Sequence, residues 1–193
     1  MADFAVLAGQ WLDMYADVVM PTDPGTEHLT AHWPLDGTYL DVTGHGYDAL
    51  AGSAVVFDTG RLGQSAYFNG NNYVSYLECQ NSTGMNLTGG ATVSAWIKTP
   101  ALVDAYASVV TKGVQAWRLI RNNTAGSISF HFNAASTGEY QANGVTSITD
   151  NQWHHLMGVY DGSTVRLYVD GQLDAWGSAG PVKTTADPVY IGS

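Results

Sequence analysis

Apolar residues recur along this chain with two different periods, and the change of period divides it. In residues 3–19, Phe4, Leu7, Ala8, Trp11, Met14, Tyr15 and Val18 fall three and four apart, the spacing of an amphipathic helix. Asp3 stands where an N-cap belongs. The segment 21-PTDPGTE-27 holds two Pro and a Gly, which end the helix and read as a linker. From residue 28 the period shortens to two. Thr92–Lys98, Ser127–Phe132 and Thr164–Val169 alternate apolar and polar positions, as half-buried strands do. Asp161-Gly162 and Asp170-Gly171 flank the last of these runs, and Asp-Gly is a favoured type I′ hairpin pair. The stretch 152–175 is therefore expected to form an antiparallel meander. Short runs punctuated by Gly, Asn and Asp, about ten in all, point to a β-sandwich. The expected organisation is a helix over 1–20, a linker over 21–27 and an all-β domain over 28–193.

Composition agrees with this pattern. Of 193 residues only 12% are charged, while 22 are Gly, 11 Tyr and 6 Trp. Long surface helices need more charge than that. Seventeen carboxylates stand against seven Lys and Arg. The basic residues Arg61, Lys98, Lys112, Arg118, Arg121, Arg166 and Lys183 are scattered, without a cluster to neutralise phosphates, which argues against nucleic acid as a partner. Neutral ligands, or cations, suit such a surface better. Cys79 is the single cysteine, so neither an intrachain disulfide nor a Cys-x-x-Cys metal site is available. No stretch approaches the roughly 20 apolar residues of a membrane span, so membrane insertion is not expected. The N-terminal apolar run has no basic region before it and does not read as a signal peptide.

The order of motifs resembles that of laminin-G-like domains of the concanavalin A-like lectin and glucanase group. The residues that support this are 32-HWPLDG-37, 41-DVTGHGYDA-49, 64-QSAYFNGNNYVSY-76, 92-TVSAWIKT-99, 151-NQWHHLMGVYDGSTVRLYVDGQL-173 and 189-VYIGS-193. The resemblance implies an antiparallel two-sheet jelly roll and non-catalytic binding of a glycan or a cell-surface protein. It further implies a place in a larger exported bacterial protein, secreted or at the cell surface. Relatives usually continue past the Ile-Gly strand with a further strand, so an open sheet edge is expected here. The stretch 3-DFAVLAGQWL-12 resembles the last helix of a dockerin-type repeat. Its apolar stripe and the open edge together suggest a homo-oligomer.

Three kinds of site deserve weighing. Calcium is commonly bound in relatives by rim loops, and Asp36, Asp41, His45 and Asp48, with Asn69 in the next comparable loop, are the candidate ligands. Turn formation explains the same Asp, Asn and Gly. A metal-dependent hydrolase is the rival reading. His28, His32 and His45, with the neighbouring Asp residues, would hold zinc or another transition metal. Sugar stacking would use aromatic side chains in polar surroundings, and Trp117, Tyr140 and Trp176 qualify. Trp96 and Trp153 read as core or structural. Glycoside hydrolysis by paired carboxyls needs two of them about 5–10 Å apart. The only Glu residues are Glu27, Glu78 and Glu139, and none lies in the Glu-x-Asp-x-x-Glu pattern of the glucanases this fold resembles. His154 and His155 are adjacent on a strand and must face opposite ways.

Overall fold

The computed structural model describes residues 28–70, 74–80, 83–102, 107–122 and 126–192. The helix expected over 3–19 and the linker over 21–27 lie outside the described residues, as do Asn71 and Asn72.

The described residues form thirteen strands: β1 (Ala49–Ala51), β2 (Val55–Thr59), β3 (Gln64–Phe68), β4 (Leu77–Cys79), β5 (Ala91–Lys98), β6 (Ser108–Lys112), β7 (Trp117–Arg121), β8 (Ile128–Asn133), β9 (Glu139–Asn143), β10 (Trp153–Tyr160), β11 (Thr164–Val169), β12 (Gln172–Ser178) and β13 (Val189–Ile191). They form a seven-stranded sheet in the order β1-β4-β13-β6-β7-β8-β9, a four-stranded sheet β12-β11-β10-β5, and the separate hairpin β2-β3. All strand pairs are antiparallel. The only helical turn among the described residues is the 3-10 turn Thr83–Met85.

Alternation decides which side chains make the core. Leu119, Phe130, Ala142 and Val189 of the larger sheet are fully buried, as are Leu156, Val165 and Leu167 of the smaller one. The two inner faces belong to one hydrophobic cluster. Gly158 shows how tightly they meet: a Cβ there would lie 2.4 Å from the Phe130 ring, so any larger residue would overpack the interior. Phe132 and Tyr160 stack across the same interface with ring centroids 4.7 Å apart.

The meander expected over 152–175 is β10-β11-β12. Asp170 and Gly171 both have positive φ (48° and 75°) in its second turn, as a type I′ hairpin requires. β13 pairs with β4 on one side and β6 on the other, so the last described strand lies inside its sheet, whose edges are β1 and β9.

Candidate functional site

The face of the seven-stranded sheet turned away from the core has an unusual content. Register places Leu50, Glu78, Tyr190, Thr111, Arg118, His131 and Gln141 opposite one another in a single row. Directly opposed residues in antiparallel strands share a face, so these seven side chains line one track across the sheet. Tyr76 adds its ring edge-on to Tyr190, at 5.7 Å between centroids.

The row is densest where β7, β8 and β9 meet. The Arg118 guanidinium donates to Glu139 Oε1. Gln141 Nε2 donates to the other oxygen at 2.9 Å, Asn143 Nδ2 to Gln141 Oε1 at 3.2 Å, and Ser129 Oγ to Asn143 Oδ1 at 2.9 Å. His131 Nδ1 lies 3.4 Å from Glu139 Oε2, a polar contact longer than the other bonds of the cluster. The side chains of Arg118 and His131 are only 14% and 12% exposed, although they point away from the core. Burial, reinforced by the Arg118 charge, holds the imidazole below its ordinary pKa against the pull of Glu139. Burial raises the Glu139 carboxyl, but Arg118 and His131 outweigh it and keep the group below the usual carboxylate range. At neutral pH the cluster is thus a cation, an anion and a neutral imidazole.

Two polar atoms of this cluster, Arg118 Nε and Asn133 Oδ1, are buried without a hydrogen-bond partner, and His131 Nδ1 has only its 3.4 Å contact with Glu139 Oε2. Such atoms are rare because each costs about 1–3 kcal/mol. An N–H donor and an amide oxygen acceptor on adjacent strands are groups that a hydroxyl, which both gives and accepts a hydrogen bond, can pair with.

Glu78 and Glu139 do not form a hydrolytic pair. Glu78 on β4 and Glu139 on β9 are five strand spacings apart, about 24 Å, well beyond the 5–10 Å of a hydrolytic pair.

The residues proposed as metal ligands do other work. Asp41 is buried, and its carboxylate accepts from the backbone N–H groups of His32, Thr43 and Tyr47 and from Thr43 Oγ1. Burial pushes its pKa up, but these donors together hold it below the ordinary value. Asp48 accepts from Asp41 N, and Asp36 from Gln64 N. His45 Nδ1 lies 3.0 Å from the Thr30 carbonyl, and the Asn69 backbone N–H donates to Ser75 Oγ. Among the described residues, no three His, Cys, Asp or Glu side chains gather in a way that could hold a metal ion. The His28, His32 and His45 cluster of the hydrolase reading is therefore not assembled.

The three proposed stacking residues separate. Trp117 is 4% exposed and donates its indole N–H to Met85 O at 2.9 Å, so it is a core residue with no ring face to offer. Tyr140 faces inward from β9, opposite Phe132, and packs against the core. Trp176 is 65% exposed. It lies on the outer face of the four-stranded sheet, opposite Arg166. Trp96 and Trp153 share that outer face with His155. Arg61 sits 3.9 Å over the Trp96 ring, so Trp96 is a cation–π partner rather than a core residue.

The cluster on β7, β8 and β9 was missed in the sequence. Its signal was the polar half of three alternating strands, Arg118, then Ser129, His131 and Asn133, then Glu139, Gln141 and Asn143. Only the register brings these halves together.

Fold and site define a class: a two-sheet antiparallel sandwich whose larger sheet carries a polar, hydrogen-bonding track on the face turned away from the core. Residues 68–193, well over half the chain, match the laminin G model described as the concanavalin A-like lectin/glucanases superfamily. The chain belongs to that family. No curated protein matches its sequence.

Among solved structures, it is similar to domain 4 of AbnA, an extracellular arabinanase from Geobacillus stearothermophilus solved with arabinotriose. The TM-score is 0.69 at 21% identity, over 84% of this chain and 82% of that one. It is also similar to the binding domain of Paraclostridial Mosquitocidal Protein 1, with a TM-score of 0.67 at 17% identity over 78% of this chain. The receptor binding domain of botulinum neurotoxin D gives 0.61 at 14% identity over 79% of this chain. The chain spans only 40% and 41% of those two toxin domains. At these identities the likeness is one of fold.

Proposed function

We propose that this domain is a non-catalytic carbohydrate-binding module of a larger exported bacterial protein, and that it binds along the outer face of the seven-stranded sheet. The supporting observation is the cluster of Arg118, His131, Asn133 and Glu139, with the unpartnered Arg118 Nε and Asn133 Oδ1. A sugar hydroxyl supplies both the acceptor and the donor they need. Tyr76 and Tyr190, farther along the same face, add aromatic surface of the kind that packs against a sugar ring.

Relatives in fold lend weight to binding over catalysis. One was solved with arabinotriose, and others are binding or receptor binding domains of toxins. One neurotoxin domain was solved with synaptotagmin II, so a protein partner at the cell surface is the second form of this reading. Polysaccharides are met mainly outside the cell, which is where a module of this kind would work.

The test is retention on insoluble or immobilised polysaccharides. Wild-type protein is expected to be retained, with no sugar released into the supernatant. Arg118→Ala and His131→Ala are expected to weaken retention at least about tenfold, equivalent to about 1.4 kcal/mol. Retention unaffected by either change would remove the site; released oligosaccharide would make the protein an enzyme.

A further inference from the structure

Resting on that glycan-binding reading, we propose that the ligand is an uncharged sugar chain, and that Glu139 is the residue that sets this specificity. An isolated arginine on a sheet face is a ready receptor for carboxylate, because its planar fork takes two oxygens at once. Here one of its terminal nitrogens is already engaged. The terminal nitrogen of Arg118 donates to Glu139 Oε1, and Gln141 holds the other carboxylate oxygen. The buried Nε–H of Arg118 has no partner. With Nη2 held by Glu139, Arg118 presents no free pair of terminal nitrogens to a second carboxylate, whereas a lone N–H suits a hydroxyl or ring oxygen.

Charge points the same way. An acidic sugar at Arg118 would place its carboxylate beside that of Glu139, and two carboxylates sharing one site repel. Glu78 adds a second negative charge to the same row. The whole chain has a formal net charge of −10, which opposes the approach of polyanions at longer range. The unpartnered groups are a guanidinium N–H and an amide oxygen, which a neutral hydroxyl can pair with as acceptor and as donor.

The edge position of β9 makes Glu139 an accessible point of control. It lies on an outer strand and is 31% exposed at its side chain. Replacing it by Gln keeps the shape and can retain a hydrogen bond to Arg118, while freeing the guanidinium's charge.

The experiment is a glycan array carrying neutral, sialylated and uronic-acid oligosaccharides, probed with wild type, Glu139→Gln and Arg118→Gln, each first shown to melt like wild type. Wild type is expected to prefer neutral glycans. Glu139→Gln is expected to raise acidic over neutral signal at least about tenfold, as removal of one like charge beside a cation should. Arg118→Gln, which leaves Glu139 alone, is expected to show no such gain. A wild type that prefers acidic glycans, or an unchanged ratio in Glu139→Gln, overturns the proposal and leaves glycan binding standing. Absence of wild-type signal on every glycan overturns the binding reading beneath it and this proposal together.

Discussion

Trp117 and Trp176 are the same side chain in opposite settings. The first is buried in β7 with its N–H satisfied by Met85 O; the second stands open on β12. Trp117→Ala is expected to cost about 3–5 kcal/mol, the usual range for emptying a buried Trp site. Trp176→Ala is expected to stay within about 0.5 kcal/mol of wild type. Urea unfolding distinguishes them, and equal losses would contradict the burial assigned here. In the sequence both sat among polar or Gly-rich neighbours and looked alike. What separates them is strand parity: Trp117 begins a run whose inward members are Trp117 and Leu119, and that parity becomes visible only once β7 is paired with β8. Asp41 teaches a related lesson. Its loop has the composition of a cation site, yet its oxygens are occupied by backbone donors that no composition reveals.

At the scale of elements, β10 and the β11–β12 turn are joined by His154. Its Nδ1 lies 2.7 Å from Asp170 Oδ2 and its Nε2 3.0 Å from Asp150 Oδ1. Burial lowers the imidazole pKa, but the two carboxylates outweigh it and the net shift is upward. A raised folded-state pKa means that the clamp's stabilisation is full below the unfolded value, about 6.5, and is lost as pH rises through the folded value. His154→Gln is therefore expected to melt below wild type at pH 5.5, and the gap is expected to close by pH 9. A gap that widens with pH would show that the shift has the opposite sign. The adjacency of His154 and His155 correctly implied opposite faces: His155 sits on the outer face beside Trp96, with ring centroids 5.1 Å apart. The two Asp partners were not legible, because one comes from a turn and the other from a loop four residues upstream.

For the whole molecule, alternation, Asp-Gly turns and low charge were enough to reach the all-β sandwich. They could not assign strands to sheets, because adjacency in a sheet depends on long-range pairing. Thus β13, the last described strand, lies between β4 and β6 rather than at an edge. The same limit hid the track across the larger sheet, whose seven members come from seven strands. With Asp41 satisfied by protein donors, removal of divalent cations is expected to leave stability unchanged. A drop of several degrees in Tm on adding chelator would restore a structural role for calcium in the 36–48 loop. The central claim, that a glycan binds on the outer face of the seven-stranded sheet, is tested most directly by titrating 15N-labelled protein with arabinotriose or another neutral glycan that retains the chain. The account predicts amide and side-chain shifts concentrated at Arg118, His131, Asn133, Gln141 and Tyr190. Shifts centred on Trp176 and Arg166, or on the loop around Asp41, would contradict it.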